Sequence, residues 1–165
     1  GCSEGCNSRI EQVDVLNTPY RQILTASPSS GFLVASGSTG LEVTVSYDTL
    51  PTGLRNSGIG ISVFYDSSKL SFVSLAETYG INLINANRTP ESVVLDSANL
   101  DEDASTDKRA IIAYTSFTGG WPGDDDTDRP LELFKVTFDA QPVEFAVDVC
   151  QRGGLILRVI FGSLD

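Results

Sequence analysis

From Asp101 to Asp107 the chain reads Asp-Glu-Asp-Ala-Ser-Thr-Asp, which sets Asp101, Asp103, Ser105 and Asp107 at alternate positions. Oxygen ligands on every second residue suit a hard cation, because Ca²⁺ takes roughly six to eight oxygens at 2.3–2.6 Å from a loop that can curl around it. The pattern is not an EF-hand: Thr106 stands where the invariant Gly is needed, and Ile112 where the closing Glu is needed. Two expectations follow for this run. It binds Ca²⁺ through Asp101, Asp103, Ser105 and Asp107, with further ligands from a backbone carbonyl or a second acidic run. Otherwise it is a solvated acidic turn in which Asp107 caps the chain or pairs with Lys108.

The second acidic run is Asp124-Asp125-Asp126-Thr127-Asp128, followed by Arg129. Carboxylates this close repel one another unless a cation or an Arg offsets them. Just before it, Gly119-Gly120-Trp121-Pro122-Gly123 holds the single Trp of the chain among turn residues. An exposed Trp121 would be a sugar-stacking platform or an interface anchor, with Asp124, Asp125 and Asp126 beside it. The favoured expectation is a lid, since Gly and Pro on both sides set a sharp turn that folds the indole back over one end of the domain.

Other chemistry is narrowed by what is missing. The chain has no His, which removes Ser-His-Asp and Cys-His catalysis within it and the commonest transition-metal ligand. A carboxylate pair remains a route to acid–base work, as in a glycosidase, but the expectation is a protein that is not an enzyme. The three Cys residues, Cys2, Cys6 and Cys150, cannot all pair within one chain. Cys2–Cys6, a bridge from either to Cys150, and free thiols all stay open. Asn87-Arg88-Thr89 fits the glycosylation triplet, with Pro90 next to it. A net charge of −11 repels nucleic acid and anionic membrane surfaces and suits a basic partner or a cation. No run approaches the roughly 20 apolar residues of a spanning helix, so no membrane insertion is expected. Neither a secretion signal nor a Met is present, and Gly1 is a residue that commonly follows a removed initiator. The expectation is a short complete protein, with an excised piece as the alternative.

The elements that would position these residues are strands. With 41% hydrophobic and 20% charged residues, a chain of 165 residues has the composition of one folded domain with a real core. Leu41, Val43, Val45 and Tyr47 alternate with polar residues, and so do Ile59, Ile61, Val63 and Tyr65. Tyr65 to Lys69 reads as a turn. Leu70 to Leu75 follows as a strand whose face switches between Phe72 and Val73, which implies a bulge. Val93–Leu95 is a short strand, and Ile111–Phe117 is a strand with apolar character on both faces. Phe134–Phe138, Val143–Val149 and Leu155–Phe161 close the set, the last two as a possible hairpin. Many short strands separated by turn chemistry indicate an all-β, two-sheet antiparallel β-sandwich or jelly roll. Residues 1–35 form a separate N-terminal segment, either added strands or a docking arm, and residues 36–165 form the sandwich domain.

One stretch carries a resemblance. Ser57 to Val73, which contains the run Tyr65-Asp66-Ser67-Ser68-Lys69-Leu70, resembles the paired strands of cohesin-like β-sandwich modules, as found in repeats of large bacterial surface and adhesin proteins. Asp101 to Arg109, Ile111 to Phe117, Gly120-Trp121-Pro122-Gly123 and Leu133 to Ala140 follow in the order of such modules. The resemblance spans residues 40–140 and implies a jelly-roll topology used for binding and display, with no catalytic residues. The functional expectation is a structural or interaction module on an outer surface, such as a virion decoration protein. Its partner would be a protein or assembly, either a capsid or a cell-surface component. The alternative is a calcium-dependent adhesion or carbohydrate-binding module of a bacterial cell surface. Either places the domain on an extracellular surface or a virion exterior.

Overall fold

The computed structural model describes residues 20–28, 36–122 and 129–142, and the backbone of 155–160. Nine strands and one short 3-10 helix lie within these residues. They are β1 (Arg21–Ser27), β2 (Leu41–Leu50), β3 (Gly58–Tyr65), β4 (Leu70–Glu77), β5 (Leu83–Ala86), β6 (Val94–Leu95), β7 (Lys108–Thr115), β8 (Leu131–Ala140) and β9 (Leu155–Ile160), with the 3-10 helix at Pro90–Ser92. One sheet runs β1-β2-β8-β4. The other runs β5-β7-β3-β9, with β6 also paired to β7. Every pairing is antiparallel.

The core lies between the two sheets. Leu24, Val45, Tyr47, Phe72, Leu75, Val136 and Phe138 of one sheet meet Ile59, Ile61, Val63, Tyr65, Ile112 and Tyr114 of the other. Alternation explains most of this set, because period-2 side chains on facing strands point into one layer. The fold is therefore a two-sheet antiparallel β-sandwich, as the strand spacing predicts.

Two bulges set the register around the core. Across β4, Phe72 pairs with Phe138 and Ser74 with Thr137, so Val73 is the extra residue. The expected face switch falls at that point, and it allows Phe72 and Leu75 to share the buried face despite their odd spacing. In β8 the extra residue is Leu133, between Phe134 paired to Val45 and Glu132 paired to Ser46. Leu133 and Phe134 are consecutive and both buried. The carbonyl of Leu133, turned out of the ladder, accepts the N–H groups of Thr78 and Tyr79, each at 3.0 Å.

β3 differs from the half-buried strand its alternation suggests. Ile59, Ile61, Val63 and Tyr65 face the core, yet Ser62 and Phe64 on the opposite face are buried as well. Beyond β7 the sheet edge is divided. β5 pairs with residues 112–114 and β6 with Lys108 and Arg109, while the chain between them swings out through the 3-10 helix. Asn87 bridges this gap by standing in for a strand residue. Its N–H donates to the Ile111 carbonyl at 2.9 Å, and its Oδ1 accepts the Ile111 N–H at 2.6 Å. The swung-out segment reaches the other sheet, where the Arg88 carbonyl accepts the Leu75 N–H and the Arg88 guanidinium pairs with Glu77.

The sequence places a strand over Ile111–Phe117, but β7 ends at Thr115 and Phe117 lies beyond it. Ser116 donates its N–H to the Ser57 carbonyl, and Gly119, at φ 68°, closes the turn by donating to the Ser116 carbonyl. Part of the N-terminal segment is described: β1 pairs along its length with β2. The rest of residues 1–35, and the strand expected over Val143–Val149, lie outside the described residues.

Candidate functional site

The acidic loop connects β6 to β7. It starts at Asp96, whose N–H donates to the Asp107 carbonyl at 2.8 Å and closes the loop at its neck. Inside, the carboxylates act as local acceptors. Asp101 accepts the Asp103 N–H through Oδ1 and the Thr106 hydroxyl through Oδ2. Asp103 accepts the N–H and the hydroxyl of Ser105 through Oδ1. Asp107 leaves the loop altogether: Oδ1 takes the Ser67 N–H at 2.8 Å and Oδ2 the Ser67 hydroxyl at 2.7 Å. Asp107 thus ties the loop to the β3–β4 turn, a capping role toward Ser67 and not toward Lys108. The bonds from the Asp103 and Ser105 N–H groups are local side-chain-to-backbone contacts that shape a turn. Among the described residues no three carboxylates converge as a metal cluster.

The turn that receives Asp107 is built on Asp66. The Asp66 carbonyl accepts the N–H groups of Lys69 and Leu70, and its carboxylate accepts the N–H and hydroxyl of Ser68. Lys69 Nζ stands 2.9 Å from Oδ2. Desolvation raises the carboxyl of Asp66, but the hydrogen bonds from Ser68 and Lys69 outweigh it and hold the group below its ordinary value. The turn expected over Tyr65–Lys69 is therefore present, with an ion pair inside it.

Asp96 was not singled out by spacing. It is only 6% exposed, and its Oδ2 caps the Leu100 N–H at 2.9 Å. Its Oδ1 is buried with no hydrogen-bond partner. Asp96 helps to wall a shallow depression of about 410 Å³ together with Leu95, Asn99, Ala104, Thr106 and Asp107.

Trp121 sits at the opposite end of the sandwich and is 0% exposed. Its ring lies 4.8 Å from Tyr47, 5.2 Å from Tyr114 and 6.4 Å from Tyr79, centroid to centroid. Paired backbone bonds with Asn56, at 2.9 and 3.0 Å, hold the turn. The lid expectation describes this residue. The stacking-platform expectation does not, because the indole face is already covered by three tyrosines. Burial also governs those phenols. Desolvation pushes Tyr47 up to about 12, partly countered by the Asn56 hydrogen bond, and raises Tyr114 further. Tyr65, in the core nearer the acidic loop, is pushed up to about 12 by desolvation and then by the charge of Asp107.

Of the three other expected sites, only the Asn87 triplet falls within the described residues. Asp124, Asp125 and Asp126 lie outside the described residues, as do Cys2, Cys6 and Cys150. In the Asn87 triplet both side-chain atoms are engaged, Oδ1 by Ile111 and Nδ2 by the Ser92 carbonyl.

What sequence reasoning missed is a group of exposed apolar residues at the Trp121 end. Phe117 is 100% exposed, Ile84 63% and Ile81 49%. Thr115 donates its N–H to the Asn82 carbonyl, so all three fall within two residues of that junction. Phe117 lies on the turn after β7, where strand alternation no longer applies, so the sequence pattern held no signal for its exposure.

Comparison with protein-family models, with curated proteins and with solved structures finds no match. The architecture itself defines the class, an antiparallel β-sandwich.

Proposed function

We propose that this domain is a non-enzymatic structural or interaction module displayed on an outer surface, such as the exterior of a virion or a cell, and that it acts through protein–protein contacts. The observation that carries the reading is Phe117, fully exposed on a turn fixed by bonds from Ser116, Gly119 and Gly120. An aromatic ring held in water on a rigid turn gives about 1.5–3 kcal/mol when a partner covers it, with little ordering left to do. Ile81 and Ile84 are exposed as well, close in the chain to Asn82, whose carbonyl accepts the Thr115 N–H. Such anchors typify the centres of protein interfaces. A jelly-roll, cohesin-like topology belongs to the same reading. The acidic charge suits display in water and contact with basic surfaces. The alternative of a calcium-dependent adhesion or carbohydrate-binding module has less support, since Trp121 is buried and the loop carboxylates are engaged within the protein.

Selection of a displayed random-peptide library on the purified domain tests the reading. The expected result is a family of binders that lose about tenfold or more in affinity for Phe117→Asp, a change that leaves the melting temperature in place. Failure to enrich any sequence, or binders indifferent to Phe117→Asp and Ile84→Asp, would overturn it.

A further inference from the structure

We infer that the depression beside β6 accepts a Lys or Arg side chain from a protein partner, an inference that rests on the reading of the domain as an interaction module. Three observations meet at this place. The first is an unsatisfied acceptor. Asp96 is 6% exposed, and its Oδ1 is buried without a hydrogen-bond partner. A buried carboxylate oxygen left unpaired is unfavourable, and a charge-assisted donor is the group that relieves it most.

The second is charge. From Asp96 to Asp107 the chain carries five acidic residues and no basic one. Asp96, Asp101, Glu102 and Asp107 make no ion pair with any described residue. The surplus within this segment is negative, and two of its acids, Asp96 and Asp107, line the depression.

The third is shape and polarity. Leu95 is 68% exposed beside the depression, and Ala104 adds further apolar surface. An aliphatic stem that ends in a cation matches this arrangement. The methylenes lie on Leu95 and Ala104 while the head reaches Asp96 and the Asp107 side of the wall. A bare metal ion matches it less well, because no three carboxylates converge among the described residues. Strand addition is also disfavoured, since β6 pairs over only two residues before the loop begins. The edge is short, so recognition falls to side chains and not to a backbone ladder.

The test is an NMR titration of the ¹⁵N-labelled domain with three synthetic peptides of sequence Thr-Val-X-Val-Thr, capped at both ends, where X is Lys, Arg or norleucine. The Lys and Arg peptides should shift the amides of residues 95–100 and 106–108 and bind about fivefold or more tightly than the norleucine peptide, with the advantage shrinking as salt is raised. Asp96→Asn should erase that advantage, while the amide oxygen that remains accepts the Leu100 N–H and the backbone bond from the residue 96 N–H to the Asp107 carbonyl keeps the loop closed. Leu95→Ser, which leaves every carboxylate in place, should weaken all three peptides together. The inference is overturned if the three peptides bind wild type alike, if the shifts fall elsewhere, or if none binds. It is also overturned if CaCl₂ alone, at low millimolar concentration, shifts the same amides in an Asp96-dependent way, since the site would then be a metal site. Library binders that depend on Phe117 but ignore Asp96 would remove this inference and leave the proposed function standing.

Discussion

Replacing Gly58 with Ala tests whether the junction that carries Phe117 is as tightly built as the contacts indicate. Gly58 opens β3 opposite Thr115, at φ 145°, where L side chains are rarely found. A Cβ on this residue would lie 2.1 Å from the Tyr114 carbonyl oxygen and 2.8 Å from Thr115 Cα. Both atoms are backbone, so no side chain can swing away. The strained φ costs about 1–3 kcal/mol, and parting β3 from β7 far enough to admit the methyl group weakens one or two ladder hydrogen bonds of about 1 kcal/mol each. The sum is about 2–5 kcal/mol. For a chain of this size that corresponds to a fall in melting temperature of roughly 4–20 °C. Urea denaturation of Gly58→Ala gives the free energy, and a thermal scan gives the midpoint. Gly80→Ala serves as the control, because its added Cβ meets nothing within 4 Å and its φ is not in the positive range. It should change stability by less than about 0.5 kcal/mol, or raise it slightly by restricting the unfolded chain. A Gly58→Ala variant as stable as wild type, or two variants that lose stability equally, would refute the packing argument. The same substitution should weaken any Phe117-dependent binding, since the Ser57 carbonyl holds the Ser116 N–H that starts the turn.

Two further outcomes follow from the buried aromatic residues. Trp121→Ala should cost about 3–5 kcal/mol in urea denaturation, as for a large buried aromatic. Trp121→Phe should cost markedly less, because it keeps most of the ring contacts and removes an indole N–H that is buried without a partner; equal losses for the two would show that the ring contacts do not hold the lid. Alkaline titration should show the second effect. Tyr47 and Tyr65 are pushed up to about 12 from an ordinary 10.0, so between these values the unfolded chain releases protons that the folded one keeps. Their contribution is complete below pH 10 and is lost as pH rises toward 12, so stability should fall steeply across that window. Phenolate absorbance that rises in step with loss of circular dichroism agrees with this sign, whereas phenols titrating near 10 in the intact fold contradict it.

Period-2 alternation needs no knowledge of distant partners, and it made β2, β3, β8 and β9 legible as strands. The break in that alternation at Val73 made the β4 bulge legible too. The Tyr65–Lys69 turn was equally readable, because Asp66, Ser68 and Lys69 bond within a few residues of one another. The alternate acids at 101–107 were visible as a pattern, but their use was not. Whether Asp107 turns toward a shared cation or toward Ser67 depends on a turn forty residues earlier in the chain. Asp96 gave no signal at all, since an unpaired buried oxygen is a property of its surroundings and not of its neighbours in sequence.

By itself the sequence determined a His-free, acidic, strand-rich domain, because composition and alternation are local quantities. Only the tertiary structure decided which residues that domain offers. It buried Trp121 beneath Tyr47, Tyr79 and Tyr114, exposed Phe117 four residues earlier, and left Asp96 with a spare acceptor at the other end of β7. Each of those outcomes is set by contacts between strands far apart in the chain, and no spacing along the sequence encodes them.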